Sequence, residues 1–175
     1  KVVTVTTLEL GVGMMSDDKH SASLTRFTVG LLRVQRGWLD VGLHGHLGGG
    51  HEELALAGGL AELPAIYAPF SLGGMGLNAG VNFEGVNIPV RVALTVDWQK
   101  VTRRPSDEQT HSLWTGLRFE AFAPMRRSRD PYHVDALTVR PGYFFEVGAR
   151  PLSLSARDET FSYQFLAGLM IRMEN

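Results

Sequence analysis

Asn87-Ile88-Pro89-Val90-Arg91-Val92-Ala93-Leu94-Thr95-Val96-Asp97-Trp98-Gln99 alternates along its whole length. Ile88, Val90, Val92, Leu94, Val96 and Trp98 fall on every second position, and Pro89, Arg91, Ala93, Thr95, Asp97 and Gln99 fall between them. Successive side chains of an extended chain point to opposite faces, so this pattern describes a strand with one apolar face and one polar, charged face. The apolar face is unbroken and ends in a Trp. Arg91 and Asp97 give the other face charges of both signs.

The same pairing recurs on both sides of this stretch. Towards the N-terminus, Leu8, Leu10, Val12 and Met14 oppose Thr7, Glu9, Gly11 and Gly13; Phe27, Val29 and Leu31 oppose Arg26, Thr28 and Gly30; Leu39, Val41, Leu43 and Leu47 oppose Asp40, Gly42, His44 and His46. Met75, Leu77, Ala79, Val81 and Phe83 oppose Gly76, Asn78, Gly80, Asn82 and Glu84. Towards the C-terminus, Leu117, Phe119 and Ala121 oppose Arg118, Glu120 and Phe122, and Val139, Tyr143, Phe145 and Val147 oppose Arg140, Gly142, Phe144, Glu146 and Gly148, with Arg150 continuing the polar face. The last run sets Phe161, Tyr163, Phe165, Ala167, Leu169 and Ile171 against Gln164, Gly168 and Arg172. These make eight long strands in a single domain over residues 1–175. Gln35-Arg36-Gly37 is a tight hairpin signal.

Two segments leave the count open. Gly48-Gly49-Gly50 reads as loop, and Glu52 to Leu63 is rich in helix formers behind two acids, which suits a helical turn or two within a long connection from Gly48 to Phe70. Read instead as a short strand, with Pro141-Gly142 as a turn splitting the strand around it, these segments raise the count from eight to ten. Both counts are even, as an up-and-down antiparallel barrel requires.

Composition narrows the class. Charged residues make 20% of the 175 and formal net charge is −1, so no global basic field points to nucleic acid. Cysteine is absent, which removes disulfides, thiolate metal sites and cysteine nucleophiles. The chain opens at Lys1 without a signal peptide; one, if made, has been removed. No apolar run approaches the roughly 20 residues of a spanning helix, so a membrane reading rests on strands.

Alternation alone does not say which face points inward. Three features favour polar in and apolar out, the arrangement of a membrane barrel. The chain has three Lys (Lys1, Lys19 and Lys100) against fourteen Arg, and Arg suits paired, confined charge. The polar face balances six acids (Glu9, Asp40, Glu84, Asp97, Glu120, Glu146) with six arginines (Arg26, Arg91, Arg118, Arg140, Arg150, Arg172), as a narrow lumen demands. That face is also rich in glycine, including Gly11, Gly30, Gly80 and Gly168, where a small barrel has little room. Phe161, Tyr163, Trp98, Trp38 and Tyr143 are candidates for aromatic girdles.

On these alternations, turns and charged inner positions the chain resembles the small bacterial outer-membrane barrels of the OmpX and OmpA transmembrane-domain type. The resemblance is architectural and covers the whole chain. It implies an all-β, antiparallel, up-and-down transmembrane barrel in the outer membrane of a Gram-negative bacterium, with membrane lipid around it. The paired charges and inward glycines point to a narrow or plugged lumen, and with it to a structural or interaction role in the cell envelope. Ile66, Tyr67 and Phe70, apolar in a connection, suit a 48–70 segment that packs over the barrel mouth or docks another envelope protein. Members of this group commonly end in an aromatic residue. This chain ends Arg172-Met173-Glu174-Asn175, so either the true end lies further on or the assembly signal differs.

The alternatives are a soluble lipocalin-like ligand-binding barrel, with the faces inverted, and a lipid-modifying outer-membrane enzyme. His111-Ser112 are adjacent and so fall on opposite faces, and no Ser and His two apart share a face in the manner of the outer-membrane deacylases. The chain is therefore expected not to be an enzyme and to need no cofactor. His44 and His46 share a face with Asp40 and are weak metal-ligand candidates; hydrogen-bonded lumen histidines are the plainer reading. Gly11-x-Gly13 and Gly73-Gly74-x-Gly76 lack a following helix and are not phosphate loops. Arg126, Arg127 and Arg129, and the Arg103-Arg104 pair, suit either a solvated loop or an anion.

Overall fold

In the computed structural model the chain closes on itself as eight antiparallel strands, each bonded to its sequence neighbours and the first to the last. Residues 2–17, 21–54, 66–83, 88–124, 138–153 and 161–174 are described. The strands are β1 Val2–Ser16, β2 Ser21–Arg36, β3 Leu39–Leu54, β4 Ile66–Phe83, β5 Val90–Arg103, β6 Gln109–Phe122, β7 Thr138–Ser153 and β8 Tyr163–Glu174. Closure leaves no unpaired edge, which matters for any strand whose outer face is apolar.

The ladder is staggered. From Leu39, partners run through Val81, Val92, Phe119, Phe145, Ala167, Val12 and Thr25 and return to β3 at Gly49, not at Leu39. A shear from position 39 to position 49 tilts the strands by roughly 35–45° to the barrel axis. Val2, Arg36, Leu39, Phe83, Val90, Phe122, Thr138 and Glu174 mark one end of the barrel, called here the terminal end. The connections after β1, β3, β5 and β7 lie at the opposite, loop end.

Side chains sort by parity as the sequence predicts. Leu10, Val41, Leu77, Leu94 and Leu169 are exposed on the outer wall, while Glu9, Asp40, Asn78, Arg91, Arg118, Glu120 and Glu146 are buried inside. β2 turns into β3 through Gly37-Trp38, and Gly37 sits at φ +65°, a backbone region that L side chains rarely adopt.

The structure corrects several sequence expectations. Gly48-Gly49-Gly50 is not a loop: it lies inside β3, and Glu52 to Leu54 continues that strand where a helical turn is expected. Ile66 to Phe70 likewise belongs to β4. The segment therefore lengthens two wall strands and adds none, and the strand count is eight; residues 55–65 lie outside the described residues. The glycines permit this because the neighbouring backbone comes so close: a Cβ on Gly50 would sit 1.7 Å from the Ser23 carbonyl oxygen.

The alternative turn that would split β7 is not formed: Pro141 lies inside the strand, as the eight-strand reading has it, paired with Ile171 of β8. Its carbonyl accepts the Ala123 N–H at 3.0 Å, so its missing N–H faces β6 where that strand ends and the loss to the ladder is small. The opening alternation is shorter than the sequence implies, since β5 starts at Val90; Pro89 still accepts the Phe122 N–H at 3.0 Å. Phe161 is not a girdle residue: it lies before β8 and turns into the barrel, 4% exposed. Trp38, Trp98, Tyr143 and Tyr163 do lie on the outside.

Candidate functional site

The polar parity of all eight strands converges on the lumen, and its side chains stack in storeys. Near the terminal end, Arg172 donates to Gln35 Oε1 at 2.6 Å and its Nε lies 2.6 Å from Glu174. Arg140 also pairs with Glu174. Arg172 lies 4.8 Å over the Phe122 ring.

The next storey centres on Arg91, with no exposed surface. It donates to Asp40 through Nε at 2.7 Å and Nη2 at 2.5 Å, to Glu120 at 2.8 Å, and to Asn78 Oδ1 at 2.7 Å. Glu120 is shared further: Arg118 Nε reaches it at 2.7 Å and Arg33 at 3.2 and 3.3 Å. Arg118 continues upward to Glu9 at 2.8 Å and Glu146 at 3.1 Å, its guanidinium 4.2 Å from the Phe144 ring centroid. Arg26 closes the chain on Glu146 at 2.8 Å. Because Glu9, Asp40, Glu120, Glu146 and Glu174 each lie against one or more guanidinium groups, their buried charge is compensated locally.

Above the ion pairs the lumen turns apolar. Met15, Ala22, Leu24, Phe70, Leu72, Val101 and Phe161 are buried together at the loop end, and Arg103 holds Glu52 at 3.0 Å beside them. A void of about 10 Å³ lies in the polar interior beside Thr7, Glu9, His44 and Arg118, roughly one water.

The charge balance matches the sequence count but its membership differs. Buried among the described residues are six acids (Glu9, Asp40, Glu52, Asp97, Glu120, Glu146) and six arginines (Arg26, Arg33, Arg91, Arg118, Arg140, Arg172). Glu84 lies outside the described residues. Arg150 is half-buried past the last β7–β8 ladder pair, at the loop-end rim and not in the central storeys. Arg33 escapes the sequence reading because of a β-bulge. Gly30 and Leu32 oppose His44 and Leu43 in succession, so Leu31 is the extra residue and the parity of β2 flips after it. The signal was there: Leu31-Leu32 is an apolar pair that breaks alternation, and both are exposed. Glu52 escapes because the glycine run before it reads as loop.

His44 and His46 of β3 do face inward, but the carboxylate beside them is Asp97, not Asp40, which Arg91 and Asn82 engage. His44 Nε2 lies 2.6 Å from Asp97 Oδ1, and Asn78 Nδ2 lies 3.2 Å from His44 Nδ1. Ser112 accepts the Trp114 indole N–H at 2.9 Å inside the lumen, while His111 stacks on Trp98 across the outer wall with centroids 5.5 Å apart. The adjacent Ser and His therefore never meet. Arg104 is exposed and pairs with Asp107 at 3.3 Å; Arg126, Arg127 and Arg129 lie outside the described residues.

No protein-family model and no curated protein sequence matches the chain. Solved structures do. Neisserial surface protein A matches at a TM-score of 0.55 and 10% identity, covering 99% of this chain and 95% of that one. Ail, the attachment invasion locus protein of Yersinia pestis, matches at 0.42 and 8%, covering 100% and 99%. The β domain of the Bordetella autotransporter BrkA matches at 0.39 and 12%, covering 97% of each. The fold of this chain is that of Neisserial surface protein A, and at this identity the likeness is one of fold.

Proposed function

We propose that this chain is an integral outer-membrane barrel with a filled lumen and a structural or interaction role in the envelope. One observation carries the reading: an apolar outer wall around an ion-paired interior. Leu47, Leu94 and Leu169 are 60–69% exposed, whereas water would favour the opposite sorting of faces. The ten steps of β3 from Leu39 to Gly49 span about 33 Å of strand. At a tilt near 40° that is about 25 Å of height, matching the apolar band of such barrels. An outer-wall groove of about 780 Å³ beside Pro141, lined by Leu8, Leu10, Phe27, Leu169 and Ile171, offers room for lipid acyl chains. Among the described residues ion-paired side chains crowd the lumen and the Ser112 hydroxyl and His111 ring lie on opposite faces, which favours anchoring or assembly over ligand carriage or hydrolysis. Residues 55–65, rather than the whole of 48–70, are what remains for docking another envelope protein.

Site-directed labelling tests the orientation. Leu94→Cys is expected to react with a lipid-confined probe and resist a water-soluble one, and Thr95→Cys, buried beside it, to resist both. The unboiled protein is expected to migrate anomalously on a gel and to fractionate with the outer membrane. Water-soluble labelling at position 94 overturns the membrane reading. In a planar bilayer, long-lived currents of porin size overturn the filled lumen, because an eight-stranded barrel is just wide enough for its own side chains.

A further inference from the structure

Among the described residues the lumen holds a cluster that the arginine–carboxylate network does not absorb. His44 and His46 on β3 face Asp97 and Gln99 on β5 across β4. In the ladder His44 pairs with Gly76 and Gly76 with Asp97; His46 pairs with Gly74 and Gly74 with Gln99. The two glycines let the flanking side chains meet. A Cβ on Gly76 would lie 1.8 Å from Asp97 Oδ1, and one on Gly74 would lie 2.6 Å from His46 Nε2. The potential donor atoms of His44, His46 and Asp97 all fall within 4.8 Å of one another.

Two features set this cluster apart. His46 is 3% exposed, yet neither ring nitrogen has a hydrogen-bond partner, and Gln99 Oε1 beside it is equally unpartnered. A buried polar atom without a partner costs roughly 1–3 kcal/mol. Asp97 is also the one buried carboxylate among the described residues whose ion-pair partner is a histidine; Glu9, Asp40, Glu52, Glu120 and Glu146 each have an arginine. Arg26 and Glu146, which also act on His46, neutralise each other at 2.8 Å. The cluster thus combines a carboxylate paired with a histidine and the unused lone pairs of His46 and Gln99.

We propose that His44, His46 and Asp97 form a binding site for a divalent transition-metal ion of the zinc class, with the Gln99 amide oxygen as the fourth donor. Two imidazoles and a carboxylate are a hard-to-borderline set that suits zinc, cobalt, nickel or copper(II) over magnesium or calcium. Tetrahedral bonds of about 2.0–2.1 Å hold donors about 3.3 Å apart. The ion therefore draws His46 inward and parts the 2.6 Å contact of His44 with Asp97. With the ion on His44 Nε2, the ring proton sits on Nδ1, so the 3.2 Å contact from Asn78 Nδ2 opens while Asn78 Oδ1 keeps Arg91. An ion here ties β3 to β5 across β4 and satisfies the polar atoms that are otherwise unpartnered. This inference does not depend on where the barrel resides.

Tag-free chain refolded in detergent with cobalt(II) present tests it, because refolding gives the ion access before the lumen closes. The expected result is one equivalent bound per chain, visible d–d absorption, and displacement by zinc(II). His46→Gln and Asp97→Asn are each expected to weaken binding about 100-fold or more, and His51→Gln, on the outer face of the same strand, to leave it unchanged. Unboiled gel mobility shows which variants have folded. For the wild type alone, zinc added during refolding is expected to shift the ring-nitrogen resonances of two of the six histidines. Absence of saturable binding by the wild type, unchanged binding by folded His46→Gln, or histidine resonances indifferent to zinc each overturns the site.

Discussion

At the scale of single residues, the lumen is governed by what happens when one charge loses its partner. Arg91 is fully buried and donates to Asp40, Glu120 and Asn78 at once. Glu120 keeps Arg33 and Arg118 if Arg91 is removed, but Asp40 keeps only the Asn82 amide among these contacts. Arg91→Ala is therefore expected to destabilise the barrel by roughly 3–5 kcal/mol, the usual cost of breaking a buried pair from one side. Adding Asp40→Asn should recover a substantial part, since the stranded charge goes with it. Arg91→Lys should fall between, because an ammonium cannot reproduce the two-pronged grip on Asp40. Urea unfolding of the refolded barrel in detergent measures all three. A loss below about 0.5 kcal/mol for Arg91→Ala shows that the network tolerates a missing centre. Most arginines and acids of the lumen, though not Arg33 behind the bulge of β2 or Glu52 behind the glycine run, were legible as residue types on one parity. Their pairing was not, because Arg33 and Glu120 meet across 87 positions of sequence, and nothing local specifies that contact.

At the scale of the element, alternation was legible wherever a strand stays regular, as in β5 and the middle of β1, and failed where the backbone departs from period two. β2 shows this most clearly. Leu31 is extra in both ladders: Thr7 and Val5 of β1 oppose Gly30 and Arg33, as Gly42 of β3 opposes Arg33 beyond the same irregularity. Deleting Leu31 leaves Gly30 inward, Leu32 outward and Arg33 inward, so register and parity survive on both sides. Deleting Val29 also removes one residue, but it moves Leu31 into the inward position of Gly30. There even a Cβ would lie 2.3 Å from Thr7 Oγ1. The first deletion is expected to fold, with an unboiled gel shift like the wild type, and the second to fail. Equal failure of both assigns the bulge an essential role in curvature; equal success shows that the lumen beside Gly30 yields more than its geometry allows. The strands β3 and β4 were shortened in the sequence reading for a related reason. Glycine lowers strand propensity, yet Gly48 and Gly50 are where neighbouring carbonyl oxygens approach to 2.4 and 1.7 Å of a notional Cβ. Only the packing of adjacent strands reveals that demand.

At the scale of the whole molecule, the outer wall and the lumen make opposite environments for the same residue type, and the three Trp residues sample both. Trp38 lies in the turn at the terminal end and is 62% exposed; Trp98 lies on the outer face of β5 towards the loop end; Trp114 points into the lumen and is 3% exposed. Lys100 follows Trp98 by two positions, and its half-buried outward placement fits a long side chain reaching from apolar wall to headgroups. Aromatic residues with a polar edge favour the two bilayer interfaces. In bilayers with bromine at graded depths along the acyl chain, single-Trp variants retaining Trp38 or Trp98 are expected to be quenched most by shallow bromines. The two girdles lie about 25 Å apart if the tilt is near 40°, so neither should peak at the bilayer centre. A variant retaining only Trp114 is expected to be quenched least at every depth, because its buried indole donates to Ser112 on the inner face of the barrel. Quenching of Trp114 as strong as that of Trp98 means the wall is inverted or the lumen admits lipid. A maximum at the bilayer centre for Trp98 means the apolar band is shifted along the barrel from where Lys100 and Trp38 place its edges.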